Sequence, residues 1–250
     1  MSKDPQWIYI PEWLSVDTWH FPYACSTFRK YIPEGATVLE IGCGSGRILT
    51  SIASEANCRC VGLDVTDGAF DSLSFFSQQR GVTVGAVKGD GFSLPFRDKS
   101  FDVVYSEGVI EHFPIERSAE MVREHVRVCR RGGLVIVSVP NRFALVHSLT
   151  KRLLGSRFLF APEASLSTFE LARLMRRAGL TIVARDGFAF GCQFYMFQTF
   201  FLEQTSRPVL QKAGGNLLSL FKKTGLYHFE NPRLNSLIGF QTLVAGRRDV

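Results

Sequence analysis

Along most of this chain, short apolar runs alternate with stretches of helical periodicity. The runs at 37–41, 59–64, 83–87, 101–106 and 134–139 predict strands, and 181–186 and 240–246 predict two more. The helices between them have readable ends. Ser167-Thr-Phe-Glu170 is a capping box, after which Leu171, Leu174, Met175 and Ala178 form one apolar stripe, closed by Gly179. A second helix is expected over 115–129, with Met121, Val122, Val126 and Cys129 on one side and a stop at Arg131-Gly-Gly133. Strands alternating with helices in this way predict a mostly parallel sheet with crossover helices. Two stretches, 1–33 and 188–236, fall outside the rhythm, and there substrate specificity is expected.

Composition adds limits. A chain of 250 residues, 46% hydrophobic and 21% charged, suits one α/β domain with a sizeable core. Six scattered cysteines (Cys25, Cys43, Cys58, Cys60, Cys129, Cys192) form no C-x-x-C pair or cluster with His, so free thiols are expected rather than disulfides or a metal site. The N-terminus lacks the apolar core of a signal peptide, and no stretch approaches the ~20 apolar residues that span a bilayer. A cytoplasmic location is the expectation. The net charge of +6 permits an anionic partner without requiring one. The arginines at 123, 127, 130 and 131, and at 173, 176 and 177, are expected on solvated helix faces.

The segment Val38-Leu-Glu-Ile-Gly-Cys-Gly-Ser-Gly-Arg47 holds the strongest chemical signal. A buried strand runs into Gly42-Cys-Gly-Ser-Gly46, where alternate glycines permit a sharp turn and close approach of a ligand, and a helix start then offers free N–H groups to an anion. The dinucleotide fingerprint is G-x-G-x-x-G. Here the spacing is G-x-G-x-G, with Glu40 two positions ahead of the first glycine. An acid suits a pyrophosphate poorly; it suits a cation such as the amine or sulfonium of S-adenosylmethionine (SAM). Asp64 ends the second strand, followed by Val65, and is placed to accept ribose hydroxyls. Asp90 follows the third strand, placed to accept from an adenine amine, with Gly91 and Phe92 near the ring. Any one of these acids could be a turn or helix cap. Three at successive strand ends argue for a nucleoside site.

These motifs, with Leu94-Pro-Phe96, Phe101-Asp-Val-Val-Tyr-Ser106 and Gly108-Val-Ile-Glu-His-Phe113, resemble the class I SAM-dependent methyltransferases, and most closely the small-molecule branch with the ubiquinone- and menaquinone-type enzymes. The resemblance is strong over 36–140, weaker to Gly187 and absent from both outer segments. It implies a Rossmann-like α/β fold: a seven-stranded sheet of order 3-2-1-4-5-7-6 with helices on both faces and only the last strand antiparallel. It also implies that Glu40 with Gly42, Cys43, Gly44 and Gly46 holds the methionine part of SAM. Asp64 and Val65 would take the ribose, Asp90, Gly91 and Phe92 the adenine, and Ser106 and Glu107 the region near the sulfonium. S-adenosylhomocysteine would be the product, and no metal is implied.

Methyl transfer chiefly needs alignment and exclusion of water, and a base only if the nucleophile must lose a proton. His112 is the foremost candidate base; it is equally a residue that orders the loop or helps to hold SAM. His20, Tyr9, Tyr23 and His147 are further candidates, and Pro140-Asn141-Arg142 should face the pocket. Neither the Asn/Asp-Pro-Pro-aromatic signature of DNA amino-methyltransferases nor a Pro-Cys pair is present, which disfavours nucleic acid as substrate. The aromatic segment 7–23 reads as part of an N-terminal lid. The insertion 188–236 carries Phe190, Phe194, Phe197 and Phe201 at helical spacing, then Arg207, Lys212, Lys222 and Lys223. It reads as a substrate cap, a dimer interface, a surface resting on membrane, or a helix packed on its own domain. The expected organisation is thus one domain: a lid at 1–33, a SAM-binding core at 34–187, a cap at 188–236 and a last strand within 237–250. A monomer or homodimer is expected. The function expected is methyl transfer from SAM to an O, N or C nucleophile of a small apolar acceptor, such as a quinone, lipid or polyketide. The alternatives are a non-catalytic SAM-binding partner and, disfavoured by Glu40 and the glycine spacing, an NAD(P) oxidoreductase.

Overall fold

In a computed structural model of the chain, residues 21–155, 163–193 and 231–249 are described, with the isolated positions 216 and 223. Seven strands form one sheet: β1 (Thr37–Ile41), β2 (Arg59–Asp64), β3 (Val84–Lys88), β4 (Phe101–Glu107), β5 (Cys129–Pro140), β6 (Leu180–Phe188) and β7 (Gln241–Arg248). Their order is β3-β2-β1-β4-β5-β7-β6. All neighbours pair parallel except β7, which runs antiparallel to both β5 and β6. The helices are α1 (Phe21–Arg29), α2 (Arg47–Glu55), α3 (Asp67–Arg80), α4 (Ile115–Val128), α5 (Leu145–Leu154), α6 (Thr168–Arg177) and α7 (Pro232–Ile238).

Central parallel strands are covered on both faces, so they read as near-continuous apolar runs. The two faces nonetheless have separate cores, set by strand alternation. On one, Val38, Tyr105, Ile136 and Phe188 pack with Phe28 of α1, Leu49 and Ile52 of α2 and Leu73 of α3. On the other, Leu39, Ile41, Val104, Val135 and Val137 pack with Met121 and Val122 of α4 and Leu171 and Met175 of α6. The capping box at Ser167 and Glu170 is complete, and Gly179 adopts a left-handed φ of 91°.

Two expectations need correction. The helix stop expected at Arg131-Gly-Gly133 comes earlier, at Val128, and those residues are instead the bulged start of β5, which begins at Cys129 directly after α4. Pairing with β4 skips from Phe101↔Cys129 to Val103↔Leu134. A side chain at Gly133 would meet the Asp102 carbonyl oxygen at 2.7 Å, which is why the crossing needs glycine. Arg127 is not a solvated cation. Its guanidinium pairs with Glu124 and Asp98 and donates to the carbonyls of Leu94 and Phe96, clipping the loop before β4 onto α4. Arg123, Arg173, Arg176 and Arg177 are exposed on helices as expected. Arg130 and Arg131 are exposed but lie on β5 and not on a helix face, because α4 ends at Val128, and Arg130 pairs with Asp102 at 2.7 Å.

The cysteines are all free, and only Cys25 is partly accessible. Among the described residues no helix is long and apolar enough to cross a membrane. Trp7, Tyr9, Trp13, Trp19 and His20, and the insertion residues Phe194, Phe197, Phe201, Arg207, Lys212 and Lys222, lie outside the described residues.

Beneath α4, His125 is fully buried, with Nδ1 2.7 Å from the Met121 carbonyl and Nε2 3.1 Å from Ser106 Oγ. A carbonyl only accepts, so Nδ1 carries the proton and the serine hydroxyl donates to Nε2. Burial pushes the imidazole pKa down from 6.5 to about 4. The folded state therefore binds fewer protons than the unfolded state between these values. The stability that His125 contributes is complete above pH 6.5 and declines as pH falls toward about 4. For His125→Leu, melting temperatures measured across that range should converge on those of the wild type as pH falls; parallel curves would refute the assignment.

Candidate functional site

The site is built at the C-terminal ends of β1, β2 and β4, where the strand order reverses. This is the position at which open α/β sheets place their ligands. Its floor is the turn after β1. Gly42, Gly44 and Gly46 have φ of 69°, 48° and 68°, all in the left-handed region that L side chains avoid. Their surroundings differ. A Cβ on Gly42 would strike Val109 at 2.5 Å, and one on Gly46 would strike Leu73 at 2.2 Å, whereas nothing lies within 4 Å of a Cβ on Gly44. The outer glycines seat the loop in its neighbours, and the middle one faces open space. The amides of Gly42 and Cys43 donate to the Leu63 carbonyl at 2.8 and 3.0 Å, lashing the turn to β2. Helix α2 then starts without a side-chain cap, and the Leu49 amide of its first turn is turned to the Glu40 carboxyl. Cys43 is buried, and burial raises its thiol pKa, as befits a packing residue and not a nucleophile.

The three predicted acids lie in distinct environments. Glu40 is 3% exposed, and its Oε2 has no hydrogen-bond partner. Burial pushes its pKa well above the usual carboxylate range. Asp64 already has a structural task. Its Oδ2 accepts from the Gly44 amide at 2.9 Å, and its Oδ1 accepts from the Thr66 amide and hydroxyl at 2.9 and 2.8 Å. A carboxylate offers about four acceptor positions, so capacity remains on both oxygens. Beside it Val65 is 45% exposed, an apolar surface bordering the acid. Asp90 is exposed and accepts from the Phe92 amide at 2.9 Å. Gly91 is wedged in the core, where a Cβ would meet Ile41 at 3.1 Å and Met121 at 3.2 Å. The Phe92 ring packs edge-on against Phe113 at 4.8 Å, with the Arg117 guanidinium 3.8 Å from its centroid.

At the end of β4, Glu107 is half-buried. Ser106 sits at the expected place, but its bond to His125 turns the hydroxyl into the core beneath α4. Only its backbone is left to face a ligand. His112 closes the short turn Ile110–His112, with Nε2 4.0 Å from Glu111 Oε1. His147 is fully buried and 3.0 Å from Glu163 Oε1, which Lys151 also reaches at 3.0 Å. Burial would raise the Glu163 pKa, but His147 and Lys151 outweigh it and hold the carboxyl at about 2. The Ala164 amide donates to the Glu111 carbonyl, so this cluster docks the segment around Glu163 onto the β4 turn. Asn141 is buried and engaged with Leu237 and Phe143.

Four residues of this region are not among the predicted site residues, although two of them, Tyr105 and Glu111, lie within the quoted motifs: Tyr105, Glu111, Glu163 and Lys151. Glu111 is wholly buried, its Oε2 unpartnered, and burial followed by the nearby Glu163 raises its pKa. Only Tyr105 carried a usable signal, since a tyrosine two residues ahead of Glu107 shares its strand face. The others depend on contacts between distant segments.

This architecture recurs in known proteins. The family described as a methyltransferase domain matches residues 39–137. A sterol 24-C-methyltransferase of Pneumocystis carinii is 35% identical over 106 residues, 41% of this chain and 27% of that enzyme. An uncharacterised methyltransferase of Bacillus subtilis, YcgJ, is 36% identical over 97 residues, 38% of this chain and 37% of that protein. The chain therefore spans well under half the length of these two relatives. Among solved structures, a SAM-dependent methyltransferase from Thermotoga maritima superposes with a TM-score of 0.63 at 18% identity, covering 95% of this chain and 94% of that one.

Two glycine substitutions separate fold from site. Gly46→Ala drives a methyl into Leu73 and should lower stability by about 1–3 kcal/mol. Gly44→Ala meets no protein atom, and its φ of 48° should cost about 1 kcal/mol. It should instead impair ligand binding in the cleft. Thermal melts paired with ligand titration test this; a larger loss of stability for Gly44→Ala than for Gly46→Ala would contradict the division.

Proposed function

The chain carries a class I methyltransferase domain, and from that premise we propose that it transfers a methyl group from SAM to an O, N or C nucleophile of a small, apolar or aromatic acceptor. What supports SAM above other nucleotides is the buried carboxyl of Glu40, its Oε2 unpartnered beneath a left-handed glycine turn. A carboxyl in that position favours a cation and disfavours a pyrophosphate. The residues present fit the donor: Gly44 leaves room for it, and Asp64 retains free acceptor capacity.

In this reading Glu40 and the glycine turn hold the methionine end, with the N-terminal end of α2 toward its carboxylate. Asp64 and Val65 take the ribose; Asp90, Gly91 and Phe92 border the adenine; Glu107 and the Ser106 backbone border the sulfonium. SAM, when bound, supplies a methyl group activated by the positive sulfur. The protein's share is to align an acceptor with that methyl and to keep water out. His112 is assigned as the base for acceptors that must lose a proton. The insertion 188–236 is assigned as the acceptor cap and the N-terminal segment 1–33 as a lid. The similarity to a sterol methyltransferase and the aromatic enrichment at both ends of the chain favour an apolar acceptor.

Calorimetric titration with SAM, S-adenosylhomocysteine and NAD tests the donor: the first two should bind and NAD should not. Asp64→Ala removes a charged acceptor and should weaken SAM binding about tenfold or more. Binding of NAD without SAM would end this reading.

A further inference from the structure

Glu40 and Tyr105 form a pair whose polar atoms the fold leaves unfinished. They are in-register partners on β1 and β4, so their side chains leave the same face of the sheet. Both are buried, Tyr105 completely. Neither Glu40 Oε2 nor the Tyr105 hydroxyl has a hydrogen-bond partner. The tyrosine ring is held by Phe28, tilted at a centroid distance of 4.8 Å, and Phe28 in turn packs edge-on against Phe188 at 6.4 Å. So held, the hydroxyl lies near enough to the Glu40 carboxyl for each group to perturb the other's ionisation, without meeting the geometry of a completed hydrogen bond. Buried polar atoms are nearly always satisfied, and two unsatisfied neighbours under a binding turn need an explanation.

We propose that Tyr105 is a positioning residue for the donor-binding acid: arrival of the cationic donor makes Glu40 release its proton to solvent, and the Tyr105 hydroxyl then donates a hydrogen bond to the carboxylate so formed. The inference rests on the assignment of SAM to this cleft. Only the Glu40 O–H bond breaks. The proton goes to buffer, and the donor is chemically unchanged.

The surroundings of the pair support this order of events. Burial most strongly disfavours the charged form of Glu40, and the carboxylates of Glu107 on β4 and Asp64 on β2 add to it. The Tyr105 hydroxyl and the Leu49 backbone N–H at the start of α2 favour the charged form. Cys60 on β2 and Cys25 on α1 also face the tyrosine. Both are thiols whose pKa burial raises, so they stay neutral and supply no charge. None of these groups is a cation, and the sulfonium and ammonium of the donor provide the missing positive charge. Binding of a cation to the ionised form must strengthen as pH rises, and must level off once Glu40 is ionised in the free protein.

The test is calorimetric titration of the full chain with SAM in two buffers of different ionisation enthalpy, repeated across the neutral pH range. The wild type should release about one proton per SAM bound, and its affinity should rise with pH. Tyr105→Phe keeps the ring and its packing on Phe28. Its affinity at neutral pH should fall about tenfold, and its pH curve should shift upward by about one unit. Glu40→Gln should abolish the proton release. SAM binding without proton release by the wild type, or a Tyr105→Phe curve that overlays the wild type, overturns the inference and leaves the donor assignment standing. Failure of SAM to bind in any buffer overturns the donor assignment, and the inference falls with it.

Discussion

The structure depends on one junction, the left-handed turn that carries the chain from β1 into α2. Three alternate residues must hold positive φ there, and the turn is kept in place by amides bonded to Leu63 and by the Gly44 amide bonded to Asp64. That bond makes the second acid part of the first loop. The same turn seats Gly42 against Val109 beyond β4 and Gly46 against Leu73 of α3, so it reads the positions of both neighbouring crossovers. Any displacement of β2, α3 or the turn after β4 is therefore felt at the loop.

Electrostatics follow from this packing. The acids at the strand ends serve different tasks because their burial and bonding differ. Asp64 is stiffened by three donors, Asp90 lies in solvent with one, and Glu40 is sealed beneath the turn with an unpartnered oxygen. Low dielectric surroundings make the last group responsive to a cation, whereas the first two mainly offer geometry. Near the β4 turn, Glu163, His147 and Lys151 form a compact polar cluster that fixes the segment after α5 to that turn.

Much of the frame was legible in the sequence. Strand boundaries at 37–41 and 59–64 match the structure, and the capping box at Ser167 is complete. Local signals are reliable there, because a buried parallel strand must be apolar and a helix start must satisfy its own amides. The Arg131-Gly-Gly133 stretch misled for a related reason: paired glycines mark a backbone irregularity equally well at a helix stop and in a strand bulge. Arg127 misled because its partners, Asp98 and two carbonyls of the preceding loop, come from a segment some thirty residues away.

The sequence by itself determined the alternation of elements, the position of the glycine turn and the placing of an acid at each of three strand ends. All of these rest on periodicity and on near-neighbour spacing. Only the tertiary structure decided which side of each strand a polar group faces and what it meets there. Ser106 turns its hydroxyl to His125, while Tyr105, one residue earlier, turns to Glu40. A single step along a strand reverses the face, and the occupant of that face is set by elements far away in the chain.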